Sequence, residues 1–311
     1  MTLLQDSQPG RPSSDPRSPG RASGPRTAAE PAATRRRRSA RRRKWPLSLW
    51  IASGFLALTA LAALLASVIS PYAPDAIDLG ASLADPDANH LLGTDQSGRD
   101  LLSRVLHGAG PSLVAPLALL ALASVVGIAL GTVAAWHGGW VDALLSRVTD
   151  VMFAFPGLLF VILVVSVFGD GLTTAVVALA LAYSPVVAKY TRSIALAERS
   201  KPYIDAYRVQ GMSGTAICAL RLVPNLAPQL LGYLVLMFGQ VLMGMATLSY
   251  LGFGAQPPSS EWGLMVKEGQ AALVQGALWP VIVPGTAIAL VVVAFNIVGV
   301  RISDRLGARE R

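Results

Sequence analysis

The stretch Arg35–Ile69, RRRRSARRRKWPLSLWIASGFLALTALAALLASVI, decides the fold class. Eight cations crowd its first ten positions, and no Asp, Glu, Lys or Arg then occurs from Trp45 to Ala73. The apolar run Leu49–Ile69 matches the roughly 20 residues a helix needs to cross a bilayer core. It is longer than the hydrophobic region of a secretory signal, and no small-residue cleavage site follows, so it reads as an anchor that stays. A basic run can bind phosphates, but one abutting an apolar segment reads as the cytoplasmic flank of a membrane helix, attracted to anionic lipid. Membrane lipids are therefore expected partners and nucleic acid is not. Residues 1–44, rich in Pro, Gly, Ser and Arg, bury too little apolar surface to order and are expected to be a disordered cytoplasmic tail.

The rest of the chain has the same character. Of 311 residues, 53% are hydrophobic and 14% charged, with a mean hydropathy of +0.51; soluble proteins carry about 25% charged residues. A soluble enzyme is excluded. Five further spans are expected at about Leu113–Ala135, Val151–Phe168, Leu172–Ala188, Gln229–Tyr250 and Val281–Val300. Six transmembrane helices place both termini on one side, and the Lys and Arg residues then divide 23 to 3 in favour of both ends in the cytoplasm. Trp45, Trp50, Trp136, Trp140, Trp262 and Trp279 all fall at or just beyond span ends, where an indole prefers to sit. The expected organisation is a tail (1–44), a first transmembrane helix with an extracytoplasmic loop (45–111) and a five-helix core (112–311) containing a cytoplasmic loop at about 197–227. The protein is read as an all-α integral membrane protein.

What such a conduit could run on follows from what the chain lacks. Lys44, Lys189, Lys201 and Lys267 are the only lysines, and none follows Gly or precedes Ser or Thr, so no phosphate-cradling P-loop exists. No span contains an ionisable Asp, Glu, Lys or Arg of the kind an ion-driven carrier uses. His90, His107 and His137 are far apart in sequence, and Cys218 is the only cysteine, so neither a metal site nor a disulfide is expected. The chain reads as a pore-forming part, not an enzyme, whose energy comes from another subunit.

The cytoplasmic loop is patterned. Tyr203-Ile-Asp-Ala-Tyr-Arg-Val-Gln-Gly211, followed by Arg221-Leu-Val-Pro-Asn225, reads as a short amphipathic helix, a glycine break, a second helix and a Pro-Asn stop. Pro202 suits a helix start and Gly211 a turn needing positive φ. Such a helix can lie in the membrane interface or dock like a peg in a partner's groove.

This stretch resembles the coupling motif of ABC-importer permeases: Glu-Ala-Ala, three residues, Gly, nine residues, then a hydrophobic-Pro-Asn ending. Asp205, Ala206 and Tyr207 stand at the Glu-Ala-Ala positions, Gly211 at the glycine, and Pro224 and Asn225 at the close. Asp for Glu shortens the charged arm, and Tyr for Ala adds bulk. Leu92-Gly-Thr-Asp-Gln-Ser-Gly-Arg-Asp100, Ala154-Phe-Pro156, Leu248-Ser-Tyr-Leu-Gly-Phe-Gly-Ala-Gln-Pro-Pro258 and Trp262-Gly263 narrow the resemblance to the C-type permeases of oligopeptide, dipeptide and nickel importers. It covers about residues 45–306. It implies a type I ABC-importer permease fold that pairs with a homologous second permease. It also implies two cytoplasmic ATPase subunits that bind ATP and Mg, an extracytoplasmic substrate-binding protein, and no cofactor in this chain. Tyr203, Asp205, Ala206, Tyr207, Gly211, Pro224 and Asn225 would form the ATPase-coupling site.

The residues carry further expectations. Asp95, Arg99 and Asp100 form a polar exterior turn, either a solvated structural loop or a contact for the binding protein. Asp100 and Arg104 are spaced i,i+4 and suited to pair. Pro156 is expected to kink the third helix, Pro257-Pro258 to end the fifth, and Glu261–Val274 to form a surface helix anchored by Trp262. Gln240, Asn296 and Met243 are the translocation-path candidates, with helix-to-helix hydrogen bonding or packing as their alternative roles. Met237 and Met245 suit either a lining or a core, and Gly127-x-x-x-Gly131 suits close helix packing. A self-sufficient carrier or channel is the competing class.

Overall fold

The computed structural model describes residues 47–307; the tail expected at 1–44, and Trp45, lie outside the described residues. The uncharged run after the basic flank forms α1 (Leu47–Leu64). Leu65, at φ −99° and ψ 7°, interrupts it before the short α2 (Ala66–Ile69), so the first predicted span is broken near its C-terminal end. Trp50, Ile51, Leu58, Leu61 and Leu64 are exposed along α1, as befits side chains whose solvent is lipid. An irregular segment containing one 3-10 turn (Leu79–Ala81) leads to α3 (Leu101–His137).

At 37 residues and 1.5 Å per residue, α3 is about 55 Å long, well beyond a core of about 30 Å. It starts at Leu101 instead of Leu113, and so crosses the expected domain boundary at 111/112. Asp100 explains the early start: its carboxylate accepts hydrogen bonds from the Ser103 N–H at 2.8 Å and the Ser103 hydroxyl at 2.7 Å, an N-cap.

The third predicted span is corrected. α4 (Gly139–Ala154) and α5 (Gly157–Phe168) meet at an angle of 86°. Pro156 breaks the helix rather than kinking it. It has no N–H to donate, and it pushes Phe155 into an extended conformation, φ −87° and ψ 135°. After the turn at Gly169-Asp170-Gly171, α6 (Leu172–Arg199) continues past the predicted end at Ala188. Its extension is tied to α4 by ion pairs, Lys189 to Asp150 at 3.1 Å and Arg192 to Asp142.

α7 (Pro202–Val209) and α8 (Gly214–Ile217) follow. A π-turn at Cys218–Leu222 joins α8 directly to α9 (Val223–Leu251). The expected Pro-Asn stop is therefore absent: Pro224 and Asn225 lie in the first turn of α9. The widened turn just before Pro224 relieves its missing donor. α10 (Trp262–Val274) and α11 (Trp279–Gly307) complete the chain. Among the described residues five helices are long and apolar enough to cross a membrane, six if the bent α4–α5 pair counts as one span.

The core is built on α3, α6 and α9. Gly127 and Gly131 bring α3 onto α6: a Cβ on Gly127 would lie 2.8 Å from the Ser184 carbonyl oxygen, and one on Gly131 would overlap that of Ala188. The small-residue spacing is thus used for packing. Leu119, Ala123, Val187, Phe238, Leu242 and Met245 fill the interior, with Met237 beside them. A second cluster, Ala135, Ala195, Leu222, Leu226 and Leu230, lies where α9 begins.

Candidate coupling site

Pro202 opens α7 at a position where no N–H is needed, after Lys201 in an extended conformation. Ile204 is fully buried and plants the helix on the spans. Its outer face carries Asp205, Ala206, Arg208 and Val209, all exposed. Asp205 and Arg208 pair at 3.1 Å, with the Asp205 side chain 72% exposed; an exposed pair of this kind contributes under about 1 kcal/mol. Val209 is 89% exposed, a bare apolar side chain on the last turn. Neither Val209 nor Arg208 stood out in the sequence, because apolar and basic residues are common in such loops and only the helix phase turns them outward.

The two ends of the motif meet. Asn225 Nδ2 donates to the Tyr203 hydroxyl at 3.0 Å, and that hydroxyl donates to Glu198 at 2.8 Å. Burial raises the Tyr203 hydroxyl above its ordinary pKa, so it keeps its proton for the bond to Glu198. Tyr207 turns inward: its ring meets that of Tyr203 edge-on at 6.3 Å, and the Arg221 guanidinium lies 4.7 Å above it. The bulk of Tyr207 thus holds α7 to the π-turn. Arg208 sits 5.3 Å over the ring of Trp136 on α3. Gly211, at φ +82°, closes the helix, with its N–H on the Arg208 carbonyl and that of Met212 on Tyr207. Asp205 and Ala206 contribute to the exposed face, while Pro224 lies exposed in the first turn of α9.

The polar turn expected at the exterior is buried. Asp95, Asp100 and Arg104 are buried, Arg104 to 1% exposure. Arg104 pairs with Asp95 at 2.6 Å and Glu268 at 2.8 Å, and Arg99 pairs with the same two carboxylates at 2.7 and 3.0 Å. Asp100 therefore does not pair with Arg104; it caps α3 and binds His90 at 3.1 Å. Helix spacing permitted the i,i+4 pair, but Asp100 precedes the helix and its carboxylate is turned to Ser103. The two arginines and two carboxylates clamp the turn to α10. Glu261 starts α10 by accepting from the N–H groups of Gly263 and Leu264. Trp262 is also corrected: it is buried, its Nε1 donating to the Val105 carbonyl at 3.1 Å, so it anchors α10 to α3 rather than to lipid.

The path candidates are scattered. Gln240 and Met243 are exposed on α9, beside Tyr183, whose hydroxyl donates to the Gln240 carbonyl at 3.4 Å. Asn296 donates to Val292 on its own helix and packs by Gly239. Met237 and Met245 belong to the core. Among the described residues no group of three His, Cys, Asp or Glu could hold a metal ion.

Residues 127–311 match the family described as binding-protein-dependent transport system inner membrane component. The chain belongs to this family. This inner membrane component is 36% identical to a putative peptide transport system permease protein of Brucella suis, over 94% of this chain and 97% of the relative. It is 34% identical to the dipeptide transport system permease protein DppC of Alkalihalophilus pseudofirmus, over 85% and 86%. It is 35% identical to the glutathione transport system permease protein GsiD of Pectobacterium atrosepticum, over 82% and 85%. Its fold is shared with a chain of the inward-facing MetNI methionine ABC transporter, at TM-score 0.55 and 17% identity over 66% of this chain and 97% of that one. It is accordingly a multi-pass inner membrane permease with the ABC-importer permease fold.

Proposed function

We propose that this permease carries peptides, di- or oligopeptides, inward through an ATP-driven importer, with its termini in the cytoplasm. A homologous second permease would complete the pathway, two ATPase subunits would hold ATP and Mg, and a binding protein outside would deliver the solute. The permease itself makes and breaks no covalent bond. The Tyr203–Asn225 contact carries this reading. It ties α7 to α9, while Arg208 over Trp136 ties α7 to α3, so a push on the exposed α7 face reaches two spans. Closure of the ATPases on ATP would move α7 and rock the spans between inward- and outward-open. The names of the peptide, dipeptide and glutathione relatives support the solute class; nickel chelates and other small solutes share the chemistry of an uncharged path.

Asp95 and Arg99 act in this reading by holding the turn on α10 and Asp100 by capping α3, and the binding protein meets the exposed segment before the turn, where Asp75, Asp85 and Asp87 lie at the surface. Gln240 and Met243, beside Tyr183, would face the solute path.

The test is reconstitution of the chain with its second permease, ATPases and binding protein in proteoliposomes. Dipeptide uptake is expected to require ATP and to fail with Val209→Asp while assembly survives. Uptake by the chain alone would instead establish a self-sufficient carrier. Protease cleavage within 203–225 from the exterior would overturn the coupling reading.

A further inference from the structure

A groove of about 250 Å³ runs between the last turns of α3 and the π-turn, lined by Ile128, Ala129, Thr132, Trp136, Cys218 and Ala219 among others. Its walls are largely apolar, with Thr132, Thr215 and His137 the polar residues among them. The Thr132 hydroxyl has no hydrogen-bond partner, but it is buried and adds no polar surface to the groove. Cations stand beside the groove without lining it. Trp136 lies between Arg208, at 5.3 Å, and Arg199, at 5.7 Å, and Arg221 stands on the same π-turn as Cys218 and Ala219. Between residues 195 and 225 four cations, Arg199, Lys201, Arg208 and Arg221, face two carboxylates, Glu198 and Asp205. Glu198 pairs with Lys201 and Asp205 with Arg208; among the described residues Arg199 and Arg221 have no carboxylate partner.

We propose that this groove is a binding site for one anionic phospholipid of the inner leaflet. An acyl chain lies along the apolar walls, which are smaller than the roughly 300–1,000 Å³ pockets that enclose whole small molecules. The phosphate meets Arg199 and Arg221, charges that carboxylate-poor surroundings leave available. Bound there, the lipid joins the contacts that hold α7 against α3. The proposal rests on the cytoplasmic placement of α7 given above.

Native mass spectrometry of the full chain released from nanodiscs of phosphatidylcholine and phosphatidylglycerol in equal parts tests it. The expected result is one phosphatidylglycerol retained in preference to phosphatidylcholine. Retention is lost when either wall is filled, by Ala129→Trp or Ala219→Trp, and falls roughly tenfold in Arg221→Gln, the scale of one charge-assisted contact. Equal retention of both lipids overturns the proposal, as does preference untouched by the wall variants. If the tryptophans instead abolish pairing with a second permease and leave the lipid count unchanged, the groove is a protein interface and the proposal fails. Should both tryptophan variants unfold, Arg199→Gln and Arg221→Gln decide alone: unchanged preference overturns it. Nanodiscs present both lipids on both faces and the readout needs neither ATPase nor solute. A failed uptake experiment and a failed lipid experiment are therefore separate results.

Discussion

Asn225 Nδ2 lies 3.0 Å from the Tyr203 hydroxyl, so the first and last residues of a 23-residue motif touch, one on α7 and the other in the first turn of α9. A hydrogen bond of this kind contributes about 0.5–1.5 kcal/mol, enough to fix the angle of a short helix that has few other tethers. Tyr203→Phe removes both of the hydroxyl's bonds and Asn225→Ala one of them. Each is expected to leave membrane insertion intact and to lower ATP-driven uptake severalfold in proteoliposomes. The double variant should be little worse than Tyr203→Phe alone, because the two residues share one contact.

Gly211 makes a different prediction. Its φ of +82° lies where side chains are strained, yet a Cβ there would meet nothing within 4 Å. Gly211→Ala should therefore destabilise the loop by only about 1–2 kcal/mol, read as a small fall in unfolding temperature. Gly211→Leu should unfold at a similar temperature while abolishing uptake, since its added bulk projects only toward whatever docks on α7.

The buried clamp of Arg99 and Arg104 should be intolerant. Arg104→Ala leaves Asp95 and Glu268 with only the Arg99 guanidinium between them, and breaking a buried ion pair by removing one partner costs about 3–5 kcal/mol. Arg104→Lys should rescue little, because one ammonium cannot reproduce a guanidinium that spans two carboxylates. Thermal unfolding in detergent checks both variants.

Glu261 predicts a pH dependence. Burial pushes its carboxyl above the ordinary value of 4.5, and the N–H groups of Gly263 and Leu264 with the hydroxyls of Ser249 and Ser112 pull it partly back. A raised folded-state pKa means that the folded protein holds the proton more tightly than the unfolded chain. The stability this adds is complete below pH 4.5 and is lost as pH rises through the raised value. The unfolding temperature of the native protein should fall across that window, and that of Glu261→Gln should fall less.

Several features were legible before any coordinates because they depend only on local composition. Uncharged runs of spanning length mark α1, α3, α6, α9 and α11, Pro202 marks the start of α7, and Gly211 marks its end. Other features were not legible. Pro156 announced a disturbance, but whether a proline kinks or breaks a helix depends on what packs around the freed carbonyl, and here α4 and α5 separate by 86°. Trp262 sat at a span end like the other tryptophans, yet Val105 on α3 offers its Nε1 a carbonyl and draws it into the core. Asp100 and Arg104 had ideal helical spacing, but a carboxylate one residue before a helix is recruited as its cap.

From the sequence alone came the membrane and the helical class, because hydrocarbon admits only uncharged segments whose backbone bonds close on themselves, a condition each segment meets by itself. Which polar side chains meet was decided by the tertiary structure. Arg104 between Asp95 and Glu268, Tyr203 under Asn225 and Trp136 between two arginines each depend on the relative angle and depth of separate helices, and those are set by packing such as that of Gly127 and Gly131 against α6.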